Sequence, residues 1–143
     1  MAKFIPDNAQ ELLKQIAQLK SDSEAVCDKM LEAGGEVAFN AIKAKIPTHW
    51  DVAKKSKTLT KVKKRKKTGD KYIRVIFKGY DRTKISKSYP KGVPNSLKVA
   101  VYEYGKPNQP ARPFIRPAMQ SAETEITAAM QNVYDEEVKK VAY

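Results

Sequence analysis

The sequence predicts an α+β domain. It has a long N-terminal helix, an antiparallel sheet of three to four strands with a basic hairpin arm, and a C-terminal helix packed on the sheet. Three observations predict it. Apolar residues recur at helical period through about 8–46 and again through 116–140, and the stretch between them, 57–104, switches to a period of two. Third, the positive charge crowds into that middle. Residues 1–50 carry six bases and seven acids and residues 99–143 five and six, whereas residues 51–98 hold 17 bases against Asp51, Asp70 and Asp81. The net charge of +12 thus divides into −1, +14 and −1 along the chain.

Composition removes several classes. A length of 143 residues suits one domain, 1–143, and 41% hydrophobic residues suffice for a core. Apolar runs such as Val75-Ile76-Phe77 fall far short of the roughly 20 residues of a membrane span, so no membrane partner is expected. Met1-Ala2-Lys3-Phe4-Ile5-Pro6 lacks the apolar core of a secretory signal. A single cysteine, Cys27, excludes an internal disulfide and makes a reducing compartment the default.

The first helix starts at a turn and cap formed by Pro6 and Asp7, with Glu11 favoured in its first turn by the helix dipole. Leu12, Ile16, Leu19, Val26, Met30, Val37 and Ala41 make one stripe, and Cys27 falls beside it as a small buried hydrophobe. Pro47 ends the pattern, since the residue before a proline is pushed out of the helical region. Unbroken, this helix would be roughly 55 Å long, against a diameter of about 40 Å for a compact chain of this size. Either Gly34-Gly35 kinks it, or it overhangs and packs on a neighbouring subunit.

Thr58, Thr60 and Val62 alternate with Leu59, Lys61, Lys63 and Arg65, and Ile73, Val75 and Phe77 alternate with Tyr72, Arg74 and Ile76. With Thr68-Gly69-Asp70 between them, the two runs read as a β-hairpin. Residues 80–95, rich in Lys, Ser, Pro and Gly, read as a mobile loop. Leu97, Val99 and Val101 mark a further strand that runs through Tyr102-Glu103-Tyr104 to Gly105. A proline-studded crossover follows, and Pro117 suits the first turn of a helix whose stripe is Met119, Ala122, Ile126, Ala129 or Met130, Val133 and Val138.

Catalytic chemistry finds no residues to carry it. Nucleophilic catalysis usually needs a histidine beside the nucleophile, and His49 is the chain's one histidine, in a loop beside an anchoring Trp50. One His and one Cys do not make a conventional zinc site, and no phosphate-cradling glycine loop occurs. Asp135-Glu136-Glu137 reads as a solvated helix face. A non-enzymatic protein without metal or cofactor is expected.

Two strings stand out. Lys61, Lys63, Lys64, Arg65, Lys66 and Lys67 put charge on both sides of a strand, so the distal hairpin should stand clear of the core as an arm. Such an arm suits phosphates or an acidic partner, and the tyrosines near it are scattered rather than forming a stacking platform. It equally suits a solubilising edge that deters strand pairing. The second string is Glu103-Tyr104-Gly105, followed by Gln109-Pro110-Ala111-Arg112-Pro113-Phe114-Ile115-Arg116-Pro117-Ala118. Phe114 anchors the crossover, while Arg112 and Arg116 offer planar donors that need carboxylate or carbonyl partners. Arg112 pairing with Glu103, or with an acid on the first helix, would lock the crossover from within.

This second string resembles the signature of a family of small tailed-bacteriophage proteins. They are the head–tail joining or tail-completion proteins of HK-type lambdoid siphophages and related prophages, often labelled minor tail components. Glu103, Tyr104 and Gly105 match its Glu-aromatic-Gly strand end, and Pro110 to Ala118 its crossover into a last helix. The chain departs from the family at Thr48 to Val52, where a Thr-Gly-aliphatic stretch is usual, and its 80–95 connector is long. The resemblance implies a virion structural protein at the neck or tail end, present in the host cytoplasm during assembly. It implies a ring of hexamer-like size made with copies of itself, contacts with neck and tail-tube proteins, and weak contact with passing DNA. The rival reading is a small basic nucleic-acid-binding protein that uses the Lys/Arg-rich hairpin.

Overall fold

The computed structural model describes residues 9–141, so the Pro6–Asp7 cap lies outside the described residues. Helix α1 (Ala9–Lys45) is followed by a short α2 (Asp51–Ser56) and a hairpin. The hairpin consists of β1 (Lys57–Leu59), β2 (Lys63–Lys64), β3 (Lys71–Tyr72) and β4 (Val75–Phe77). Strands β5 (Tyr80–Asp81) and β6 (Val93–Pro94) close a loop, and α3 (Asn95–Tyr104) and α4 (Ile115–Val141) complete the chain. The expected α+β class with two long helices and an antiparallel element is what the chain forms.

Helix α1 runs unbroken through Gly34-Gly35. The two glycines are a packing notch rather than a kink. A Cβ on Gly34 would stand 2.9 Å from Met130 Cγ on α4, and one on Gly35 would stand 2.8 Å from Ile73 Cδ1 on the hairpin. Each gives up helix propensity of about 1 kcal/mol relative to alanine, and in return α4 and the hairpin approach the α1 backbone closely. The helices pack antiparallel, with Lys29 of α1 and Glu137 of α4 paired at 2.8 Å. Because α4 ends beside Leu19 and Val26, the first turns of α1 project beyond it.

The sheet is smaller than expected. Each strand pairs with one neighbour, β1 with β4, β2 with β3 and β5 with β6, all antiparallel. The missing third strand is the reason. Residues 95–104, read as a strand from the alternation of Leu97, Val99 and Val101, form helix α3. Asn95, Val99 and Glu103, spaced by four, are its buried residues, and burial on one helical face outweighs the β-branched alternation. Asn95 fixes the helix start by donating from its backbone N–H to Gly79 O (3.0 Å) and from Nδ2 to Lys78 O (2.9 Å). The connector read as a mobile loop has a pinned base. Gly92 sits at φ +98°, where a Cβ would collide with Asp81 O at 2.3 Å, and Lys98 pairs with Asp81.

The core lies where α1, α2, the hairpin base, α3 and the start of α4 meet: Ile42, Ile46, Ala53, Phe77, Val99, Phe114 and Ala118. Phe114 is its centre, edge-on to Trp50 (6.1 Å between centroids), Tyr102 (5.9 Å) and Phe77 (6.4 Å). Trp50 is thus the anchor expected of it, and His49 beside it is exposed.

Candidate functional site

Three surfaces gather the residues singled out above. In the crossover, Glu103 is buried at 6% exposure and its carboxylate accepts three backbone N–H groups. Oε2 accepts from Phe114 (2.7 Å) and Ile115 (3.0 Å), and Oε1 accepts from Arg116 (2.9 Å). The first N–H groups of a helix have no intrahelical acceptor, so Glu103 of α3 serves as the cap of α4 from 11 residues away. Desolvation is the largest influence on this carboxyl and favours its neutral form. The N–H groups of Ile115, Arg116 and Phe114, together with the Arg116 charge, outweigh it and hold the pKa below the usual carboxylate range.

The pairing expected between Arg112 and Glu103 is therefore corrected. Glu103 does lock the crossover, but through backbone donors, and the Arg112 and Arg116 side chains are exposed. The Arg112 backbone N–H donates to Tyr102 O at 2.8 Å. Gly105 sits at φ +78°, where a Cβ would stand 2.8 Å from Ala111 N, and Tyr104 is exposed beside it. The string is a joint between two helices, closed on itself, with its aromatic Tyr104 and its two guanidinium groups turned outward.

The basic hairpin has two unlike faces. On one, Lys71 Nζ donates to Asp28 Oδ1 (2.7 Å) and Glu24 O (3.2 Å), and Lys64 lies 3.6 Å from Glu24 Oε1. Ile73 sits on the same face and fills the Gly35 notch. The arm expected to stand clear of the molecule thus lies along α1, held by two acids one helical turn apart. Hydrogen bonding to Asp28 raises the Lys71 pKa above its ordinary value, against desolvation and with added attraction from Asp28 and Glu24. On the other face the Arg65 and Arg74 guanidinium carbons lie 5.5 and 5.1 Å from the centroid of the Tyr72 ring, and Lys63 pairs with Tyr72 across the strands. Lys61, Lys63, Arg65, Lys66, Lys67 and Arg74 are exposed, and among the described residues none of them forms an ion pair.

The third surface is apolar. Leu13, Ile16 and Leu19 on the projecting turns of α1 are 65%, 54% and 61% exposed. Below them Leu19, Val26, Cys27, Met30, Tyr134 and Val138 line an open groove of about 430 Å³ between α1 and α4. Cys27, expected to be buried, is exposed there, because it lines the groove that α1 and α4 leave open.

No protein-family model, no curated protein and no solved structure matches this chain. Among the described residues no three His, Cys, Asp or Glu side chains group as metal ligands, and no helix is long and apolar enough to cross a membrane.

Sequence reasoning missed the Tyr72–Arg74 half of the basic face and the Glu24–Asp28 anchor. A signal existed for the anchor, since two acids at i and i+4 on the first helix make one negative stripe.

Proposed function

We propose that this chain is a non-enzymatic structural subunit of a tailed phage or prophage virion. It would build a ring with copies of itself at the head–tail junction or the tail end. The observation that carries the reading is the unpartnered apolar length of α1. Leu13 and Ile16 project past α4, and the exposed stripe continues through Leu19 into the groove lined by Val26, Met30 and Tyr134. Burying each of three such side chains is worth about 1.5–3 kcal/mol. Head-to-tail contact between one subunit's projecting helix and a different surface of the next is the kind of interface from which closed rings are made. The Glu103–Ala118 string adds support through its family resemblance, and its rigid capped joint suits a subunit whose two helices must keep a fixed angle.

The test is to find the protein in the particle. Purified virions should contain it in a fixed copy number at the neck or tail end, and its absence from them would overturn the proposal. In solution, Leu13→Ser/Ile16→Ser/Leu19→Ser should abolish any ring seen by negative-stain microscopy while leaving the helical circular dichroism unchanged.

A further inference from the structure

Among the described residues, the outward-facing bases of the hairpin form no ion pair. Residues 57–77 carry nine bases and one acid, Asp70, a net of +8. Two of the nine, Lys64 and Lys71, are spent on Glu24 and Asp28 and hold the hairpin on α1. The opposite face carries Lys63, Arg65 and Arg74 around Tyr72, with Lys61, Lys66 and Lys67 nearby along the strand and tip. The Tyr72 ring thus holds two guanidinium groups at the hairpin surface, where a bound anion can reach both.

We propose that this face binds the phosphate backbone of duplex DNA without regard to sequence. A dense external polyanion is the ligand that such a concentration of unpaired bases suits, and the net charge works against self-association. Every further copy brings its own +12. Duplex DNA offers one negative charge per about 1.7 Å of axis, a density matched to six cations on one short hairpin. Planar guanidinium groups suit phosphate oxygens in a paired, two-bond geometry. Single strands fit less well, since the ring that would stack a base is already taken up by Arg65 and Arg74. The proposal does not depend on ring formation or on a place in a virion.

The experiment is fluorescence anisotropy of a labelled mixed-sequence duplex of about 30 base pairs against the full-length protein, over a series of salt concentrations. Six phosphate contacts predict a slope of log K against log [salt] of about −5. Arg65→Gln/Arg74→Gln should lower the magnitude of that slope by about 2 and weaken binding equally for unrelated sequences. The charge-matched control Lys106→Gln/Lys139→Gln, at exposed positions on other elements, should leave it unchanged. All three proteins should show the same circular dichroism. No binding at about 50 mM salt overturns the proposal, as does a slope unmoved by Arg65→Gln/Arg74→Gln. Tighter binding of a single strand per phosphate also overturns it. So does competition by poly-glutamate as effective per charge as DNA, in that case in favour of an acidic protein surface.

Discussion

Removing the Glu103 carboxylate tests the joint between α3 and α4 directly. In Glu103→Ala the N–H groups of Phe114, Ile115 and Arg116 lose their acceptor, now bonded at 2.7–3.0 Å. Their environments differ: Phe114 is buried, Ile115 half-buried and Arg116 exposed. An unsatisfied buried donor costs about 1–3 kcal/mol, and water recovers an exposed one. Phe114 therefore contributes about 2 kcal/mol and Ile115 about 1, with up to about 1 more for the lost anion at the α4 N-terminus. Alanine returns a few tenths of a kcal/mol through helix propensity. The expected loss is about 3–4 kcal/mol, a large share of the roughly 5–15 kcal/mol of a typical domain. Urea denaturation followed at 222 nm should show it, with a melting temperature lower by about 10 °C. Glu103→Gln, which keeps an oxygen for one side of the cap, should cost about half as much. Native-state hydrogen exchange provides the site-specific check, since the amides of Phe114 and Ile115 should lose protection before those of mid-α4. A loss below about 1 kcal/mol, or unchanged exchange at those two amides, would refute the capping role.

The remaining predictions concern packing, pH and the hairpin anchor. The folded-state pKa of Glu103 is depressed, so its contribution is fully present above the unfolded value of about 4.3 and fades as pH falls through the lower folded value. Acid titration of stability should therefore be shallower in Glu103→Gln than in the wild type. Gly34→Leu should cost about 2–3 kcal/mol by forcing Met130 and Ile126 off α1, whereas Gly34→Ala should be near neutral because propensity offsets a small shift of Met130. Phe114→Ala should cost about 3–5 kcal/mol, measured by the same denaturation, because three aromatic neighbours lose their common contact. Glu24→Gln/Asp28→Asn should change global stability by no more than about 1 kcal/mol, while amide exchange at β2 and β3 accelerates as the hairpin lifts from α1.

The helices and the hairpin were legible because each is written in a period that a single element satisfies. Helix α1 follows its stripe from Ile16 to Ala41, and the Thr68-Gly69-Asp70 turn lies where the two alternating runs meet, with Gly69 at φ +77°. Residues 95–104 were not legible, since Leu97, Val99 and Val101 satisfy a period of two while Asn95, Val99 and Glu103 satisfy a helical step of four. What decides between them is tertiary: Lys78 and Gly79 receive Asn95, and the open N-terminus of α4 receives Glu103. The same holds for Arg112 and Arg116. Their charge drew attention in the sequence, but the crossover is held by backbone groups that every residue possesses.

The two faces of the hairpin depend on one extra residue. In the inner ladder Leu59 pairs with Val75, and in the outer ladder Lys63 pairs with Tyr72. Three residues, Thr60 to Val62, thus oppose only Ile73 and Arg74, which is a bulge. Strict alternation from Leu59 would carry Lys63 and Arg65 to the side of Val75 and Ile73, against α1. The bulge shifts the run by one position, and a one-residue shift exchanges the faces of a strand. Lys64 consequently meets Glu24, while Lys63 and Arg65 join Tyr72 and Arg74 on the outside. Without the bulge, Lys61, Lys63, Arg65 and Lys67 would all fall on the α1 side, where Ile73 needs the Gly35 notch and Glu24 and Asp28 can neutralise only two. The outward concentration of charge is therefore a consequence of register as well as of composition, and the bulge is the local feature that lets one basic strand both anchor and present.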